Sequence, residues 1–293
     1  MSKRRVKKKL RKSLHRAQRI YEAVCRPRIA SWVLLLGAPF AIAHLGSSDG
    51  VPLRTPIGHR MTTPFADHSS IDWDANTFGL IRDGGTRRYL FLQDGQVRIT
   101  VAHGVSKPMD VYLPHVVLVD HGTQFNVSTH DDITTVSVTS GSVQVRERRD
   151  DGTLSDPIIA TDPVPRRAPL TLLPGDTVRL EEHGGATFAY SARNNINEAQ
   201  LRSSWLRGEV ATMEEPLDEL VTQFNRYNRI PLVIEDPSVA RMIVGGHYFL
   251  TESDVLLANL QMSGLRAVPV KDGAGDVVQM YLLRASPATK ALR

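Results

Sequence analysis

The sequence predicts a mainly β protein with a single N-terminal transmembrane helix, a large all-β module and a small α+β domain at the C-terminal end. Three observations lead to this prediction. A 20-residue stretch without Asp, Glu, Lys or Arg lies near the N-terminus. Short β-branched runs with a period of two follow it up to about residue 190, and helical spacing returns beyond residue 203.

The net charge is unevenly distributed along the 293 residues. The formal charge is +5, yet residues 1–28 hold 12 of the 36 Lys and Arg residues and a single acidic residue. The remaining 265 residues therefore carry 24 basic against 30 acidic side chains, a net charge of −6. An acidic body argues against a nucleic-acid-binding domain. Cys25 is the one cysteine of the sequence, which excludes an intramolecular disulfide and a thiolate metal site.

Residues 29–48 are long enough to cross a bilayer as a helix. The basic residues 1–28 adjoin one end of this segment, so the positive-inside rule places that tail in the cytoplasm and residues 49–293 outside the membrane. We therefore expect a single-pass membrane protein. The alternative is a cleaved secretory signal with Ala41-Ile42-Ala43 as its small-residue site.

The basic tail contains an apolar helical stripe. Leu10, Leu14, Ala17, Tyr21 and Val24 are spaced by four, three, four and three residues, which places them on one face of a helix. Two interpretations remain open. The helix lies on anionic lipid headgroups, or it docks onto a cytoplasmic partner through this stripe.

Beyond the membrane segment, residues 49–70 are rich in Ser, Thr, Pro, Gly and His and predict a linker. Residues 71–190 predict a module of short strands separated by glycine-containing turns. Gly122 and Gly141 occupy two turns that we expect to require a positive φ. The apolar runs cover residues 89–92, 97–101, 111–113, 116–119, 125–127, 136–138, 143–145 and 178–180.

Residues 203–286 predict a compact α+β domain. A helix is expected over 216–225, where Leu217, Leu220, Val221 and Phe224 recur at helical spacing and predict a core face. The remaining predicted elements are strands at 232–234, 243–244 and 248–249, a helix from 253 ended by Gly264, and strands at 267–270 and 277–283.

The sequence contains no nucleotide-binding loop, metalloprotease motif or Gly-x-Ser-x-Gly nucleophile motif. His103, His115, His121 and His130 lie on or beside separate predicted strands and have no metal-ligand spacing. We interpret them as solvated turn histidines. We therefore expect no metal, no cofactor and no enzymatic activity.

Two groups of motifs extend over roughly residues 71–285. The first group comprises residues 93–103, 107–111, 117–127, 136–145 and 172–176. The second group comprises residues 205–210, 216–217, 224–228, 232–234 and 246–249. The first group is similar to the FecR domain, and the second resembles the C-terminal secretin/TonB-short-N-terminal-like domain of the same proteins, the FecR-type transmembrane regulators of extracytoplasmic-function sigma factors.

The resemblance implies signal transduction across a bacterial inner membrane. The periplasmic part would sense the signalling domain of an outer-membrane TonB-dependent transporter, in iron, siderophore or nutrient uptake. The cytoplasmic part would control an extracytoplasmic-function sigma factor, as an anti-sigma factor or sigma regulator. The 28-residue tail is shorter than the cytoplasmic anti-sigma domain usual in the family, which leaves open whether it contacts the sigma factor directly.

Six residues are candidates for partner binding. Arg226, Tyr227 and Asn228 follow the predicted helix over 216–225, and we expect them to cap it or to contact the transporter's signalling domain. Leu10, Leu14 and Tyr21 are the candidates in the tail. The alternative function is a non-signalling periplasmic binding or envelope-assembly protein that uses the same β module.

Overall fold

The structure is a computed structural model, and it describes residues 50–284 except 103, 105–106, 121, 150 and 162–163. The predicted transmembrane helix at 29–48 and the basic tail with Leu10, Leu14 and Tyr21 lie outside the described residues. Within the described part, no helix has the length and apolar character needed to span a membrane.

Sixteen strands of the described chain form one large curled sheet, which confirms the prediction of a mainly β protein. The strands are β1 (Val51–Arg54), β2 (Met61–Pro64), β3 (Ser70–Trp73), β4 (Phe78–Asp83), β5 (Arg88–Thr100), β6 (Met109–Tyr112), β7 (Val116–Asp120), β8 (Gln124–His130), β9 (Ile133–Ser140), β10 (Val143–Arg148), β11 (Leu154–Ser155), β12 (Ile158–Ile159), β13 (Arg166–Arg167), β14 (Leu170–Leu172), β15 (Asp176–His183) and β16 (Ala186–Asn194).

Strand β5 joins the two layers of this sheet. Its first half pairs with β4 and β6, and its second half pairs with β3 and β8. The pair Asp94-Gly95 predicts a turn between the apolar runs 89–92 and 97–101, whereas the structure has one strand of 13 residues. Gly95 has a φ of 115°, and a Cβ there would lie 2.4 Å from Thr77 Oγ1, so this glycine admits a close approach within a strand.

The two layers enclose one hydrophobic core of alternating strand residues, among them Ile71, Trp73, Leu90, Val97 and Phe125. Each of these five side chains is fully buried. Because successive strand residues point to opposite faces, the period of two in the sequence places these side chains inside and polar neighbours outside.

The segment 49–70, predicted as a linker, contains β1 and β2 in the structure. Strand β1 pairs with β4 and strand β2 pairs with β3, so both belong to the large sheet. Their sequences, VPLR and MTTP, are half-exposed and alternate between partly buried and exposed positions. Four-residue strands with proline and threonine carry too little apolar periodicity to be recognised without their partners.

The C-terminal part has its own elements and its own core. The elements are α1 (Ile196–Leu201), a 3-10 turn (Ser204–Arg207), β17 (Glu209–Pro216), α2 (Leu217–Asn225), β18 (Leu232–Val233), α3 (Pro237–Ala240), β19 (Ile243–Phe249), α4 (Ser253–Met262), β20 (Leu265–Lys271) and β21 (Val277–Arg284). Strand β17 pairs with β19, and β21 lies between β18 and β20. The core face predicted for α2 is confirmed, since Leu217, Leu220, Val221 and Phe224 are all buried.

Candidate functional site at the junction of the two cores

The end of helix α2 rests against the large sheet through Arg226. This residue is 3% exposed, and its guanidinium donates hydrogen bonds to Gln96 Oε1 on β5 and, at 2.9 Å, to Ser128 Oγ on β8. Its Nη1 also lies 3.5 Å from Asp74 Oδ2, just beyond β3. The backbone takes part as well, because Gly58 N donates to Arg226 O at 3.0 Å. Arg226 therefore contacts strands β5 and β8 and the two connecting segments that contain Asp74 and Gly58.

Asp74 is the acidic partner in this junction and is 1% exposed. The hydroxyl of Tyr227 and the backbone N–H of Ala75 both donate to its Oδ1. Burial raises the pKa of Asp74 above its ordinary value, and the charge of Arg226 opposes that rise. Burial and the neighbouring Asp74 likewise raise the pKa of Tyr227. Asp74 is therefore a desolvated carboxyl whose polar contacts come from Arg226, Tyr227 and the backbone N–H of Ala75.

Asn228 caps the end of α2. Its side-chain amide donates to Phe224 O at 2.7 Å and to Leu250 O at 2.9 Å, both within the C-terminal part. Capping and contact with a partner were the two roles expected for residues 226–228, and within the chain only Asn228 takes the capping role. Arg226 and Tyr227 bind the chain's own sheet and Asn228 caps the helix, because the C-terminal part packs on the sheet at this point.

Trp205 makes a second connection between the two cores. It is 1% exposed, and its indole Nε1 donates to Asn126 Oδ1 on β8 at 2.8 Å. Gln96 Nε2 donates to the same oxygen at 3.2 Å, while Arg60 Nη1 donates to Trp205 O at 2.6 Å. In the sequence, Trp205 marks the family motif, but its partner Asn126 is 79 residues away and could not be identified.

A cluster of ion pairs extends the junction along α2. Arg202 Nη1 lies 2.6 Å from Glu215 Oε1 and 2.7 Å from Glu219 Oε2. Arg179, on β15, reaches across to Glu219 at 2.6 Å and to Asp218 at 3.1 Å. The sheet and the C-terminal part are thus joined by charge pairs as well as by hydrogen bonds.

The two buried glutamates of this cluster differ in their protonation. Glu215 is 1% exposed, and burial, reinforced by the negative charge of Glu219, raises its pKa to about 7 although Arg202 opposes the shift. Burial alone would also raise the pKa of Glu219, but Arg202 and Arg179 hold it below its ordinary value. At neutral pH, Glu219 is charged and Glu215 is the group that titrates.

A groove of about 420 Å³ opens beside these residues. The sheet contributes Gln96, Asn126 and Ser128 to its lining, and Glu215 and Glu219 lie on the opposite side. Because this lining contains the same groups that join the two cores, a change at the groove would act directly on the junction.

The histidines singled out in the sequence have different surroundings. His103 and His121 lie outside the described residues. His130 Nδ1 lies 2.8 Å from Asp94 Oδ1, and this hydrogen bond raises the histidine pKa. His115 lies beside Asp132 and Glu182, a grouping that the sequence spacing does not indicate.

Comparisons with known proteins agree with the sequence motifs. Residues 52–144 match the family described as FecR protein, which confirms the resemblance to FecR-type regulators. No curated protein matches the chain.

Two crystal structures of a candidate anti-sigma factor from Parabacteroides distasonis share the fold. The first has a TM-score of 0.61 and 17% sequence identity, and the match covers 80% of this chain and 100% of that chain. The second has a TM-score of 0.59 and 18% identity, and the match covers 80% of this chain and 99% of that chain.

Proposed function

We propose that this chain, whose residues 52–144 match the FecR family, is a membrane-anchored regulator of a sigma factor. The match over residues 52–144 is the observation that carries the proposal. The fold shared with a candidate anti-sigma factor over 80% of the chain supports it. The basic tail and the apolar segment at 29–48 precede the FecR domain in the order that a transmembrane regulator requires.

The proposed location is the bacterial inner membrane, with the tail in the cytoplasm and residues 49–293 in the periplasm. The 12 basic residues before the apolar segment support this orientation. Fusions of a reporter that is active only in the periplasm should be active when joined after residue 60. Inactive periplasmic fusions together with active cytoplasmic ones would contradict the orientation.

The proposed input is the signalling domain of a TonB-dependent outer-membrane transporter, in uptake of iron, siderophores or another nutrient. The family resemblance supports this input, and the junction supplies a physical route. The C-terminal part is tied to β5 and β8 through Arg226 and Trp205, and to β15 through Arg179, so a partner that moves it also pulls on the sheet.

Removal of the C-terminal part tests the route. A chain truncated after residue 204 should stay anchored in the membrane but lose induction by the transporter's ligand. Because truncation also exposes Gln96 and Asn126, Tyr227→Phe serves as a second variant that removes a single hydroxyl. Full induction by the truncated chain would show that the C-terminal part does not receive the signal.

The proposed output is contact of the tail with the sigma factor or with a separate cytoplasmic partner through the stripe of Leu10, Leu14 and Tyr21. An apolar helical face flanked by basic residues fits a helix-in-groove interaction. In a co-purification assay with the sigma factor, Leu14→Asp should reduce recovery, whereas His15→Asp adds the same charge on the opposite side of the helix and should have a smaller effect. Equal recovery with both variants would favour the lipid-surface interpretation.

A further inference from the structure

Three turns of the β module bring one imidazole and two carboxylates together. His115 lies in the turn between β6 and β7, Asp132 in the turn between β8 and β9, and Glu182 near the end of β15. One ligand atom from each side chain lies within 4.8 Å of the others. The residues are 17 and 50 positions apart in the sequence, so no spacing motif could have indicated this group.

The backbone holds these three residues in place. Leu113 N donates to Val116 O at 2.8 Å and closes the turn that carries His115. Arg148 N donates to His115 O at 2.8 Å, which ties this turn to the end of β10. Glu182 N donates to Asp132 O at 3.0 Å and joins the other two ligands directly. Because these hydrogen bonds fix the backbone at all three positions, binding an ion would have to order only the three side chains.

His115 approaches its nearest carboxylate less closely than three other histidines of the described chain approach theirs. His130, His183 and His247 lie 2.8, 3.0 and 3.1 Å from their nearest carboxylate oxygens, which are hydrogen-bonding distances. His115 Nε2 lies 3.5 Å from Asp132 Oδ1, too far for a good hydrogen bond. Two ligands of one tetrahedral ion with bonds of about 2.1 Å are about 3.4 Å apart. The observed separation therefore suits two ligands of one ion.

We propose that His115, Asp132 and Glu182 bind one divalent transition-metal ion of the Zn²⁺ type. Imidazole nitrogen with carboxylate oxygen suits Zn²⁺ and its first-row neighbours, whereas Mg²⁺ and Ca²⁺ prefer oxygen alone. The side chains of His115 and Asp132 are 39% and 67% exposed, so water can occupy the remaining coordination positions. This assignment revises the interpretation of His115 as a solvated turn histidine.

A bound ion would brace the β8–β9 turn. Asp132 directly follows His130 and Asp131, and both of these line the groove at the junction. By linking this turn to the β6–β7 turn and to β15, the ion would stabilise one wall of that groove. This inference rests on the geometry of the three turns and does not depend on the proposed function.

Calorimetric titration of untagged, EDTA-treated full-length protein with Zn²⁺ tests the proposal. The wild type should bind Zn²⁺ and gain thermal stability, and excess Mg²⁺ should not compete. Both His115→Ala and Asp132→Asn should weaken binding at this site at least tenfold. His247→Ala removes a histidine paired with Glu209 at 3.1 Å and should leave the affinity unchanged.

Asp132→Asn separates a loss of metal binding from a loss of folding. Asp132→Asn keeps the shape of the side chain, so its circular dichroism without metal should equal that of the wild type. Wild-type affinity in both His115→Ala and Asp132→Asn, or a wild type that neither binds Zn²⁺ nor becomes more stable with it, would overturn the assignment.

Discussion

Arg226 and Asp74 form the most deeply buried charge pair of the junction. Arg226 is 3% exposed and Asp74 is 1% exposed. A buried pair contributes little net stability, because removing two charges from water offsets their attraction. Removal of one partner is different, since the other charge then remains buried without compensation. We therefore expect the intact pair to add little to the stability of the fold, and the loss of one partner to be costly.

Arg226→Met should lower the free energy of unfolding by about 3 kcal/mol, because it leaves the Asp74 carboxylate without its cation. Urea unfolding followed by circular dichroism measures this change. Arg229 is exposed, and Arg229→Met should change stability by less than about 0.5 kcal/mol. Adding Asp74→Asn to Arg226→Met should recover part of the loss. Equal effects of the Arg226 and Arg229 variants would show that Arg226 does not support the junction.

Glu215 should make stability depend on pH. Its folded-state pKa of about 7 lies above its ordinary value of 4.5, so the protonated carboxyl stabilises the fold below about pH 4.5. That contribution is lost as the pH rises through 7. Glu215→Gln keeps an uncharged side chain at every pH and removes this loss.

Urea unfolding of both proteins at several pH values measures the effect. The stability of Glu215→Gln relative to the wild type should increase between pH 5 and pH 8. A difference that is independent of pH would contradict the titration assigned to Glu215.

At the scale of residues, the sequence indicated which side chains matter better than what they contact. The sequence indicates a polar helix end at residues 226–228, and the structure shows which groups these side chains contact within the chain. Tyr227 and Asp74 are 153 positions apart, and local patterns carry no information about such pairs. The same limit applies to Trp205 with Asn126 and to the three proposed metal ligands.

At the scale of elements, tight turns define the register of the β module. The prediction that Gly122 and Gly141 adopt a positive φ is confirmed, with values of 81° and 77°. At Gly141, an added Cβ would lie 2.5 Å from Gly122 O and 2.6 Å from Thr123 Cγ2. Gly141 is therefore required by its backbone conformation and by the close approach of the neighbouring turn.

A pair of substitutions separates these two requirements. Gly152 has a φ of 82° and open space around its Cβ position. Gly152→Ala should cost about 1 kcal/mol from the backbone alone. Gly141→Ala should cost at least about 1 kcal/mol more, because the methyl group overlaps backbone atoms. Thermal unfolding of the two variants provides the comparison, and equal costs would exclude an effect of close packing at Gly141.

Among the elements, those with a regular apolar pattern could be predicted from the sequence. Helices α2 and α4 and the core strands follow apolar patterns with a period set by their own geometry. Strands β1 and β2 lack such a pattern, because they are short and only partly buried on one face. Glycine after aspartate favours turns, so the sequence predicts a turn at Gly95. In the structure this glycine lies within a strand and allows the close approach of Thr77.

At the scale of the whole molecule, the junction should make the two cores unfold together. Trp205, Arg226 and Arg179 each link the C-terminal part to the sheet by hydrogen bonds or ion pairs. In hydrogen exchange of the full-length protein at increasing urea, peptides from β8 and α2 should lose protection at the same concentration. Arg226→Met should make α2 exchange first. Earlier exchange of α2 in the wild type would show that the junction does not couple the cores.

The proposal that this protein regulates a sigma factor is tested most directly by transcription from promoters of an extracytoplasmic-function sigma factor. Transcript levels are compared in cells with the gene, without the gene, and with the gene restored, each with and without the inducing nutrient. We predict that deletion abolishes the response to the nutrient and that restoration recovers it. An unchanged response in the deletion strain would contradict the proposed regulation.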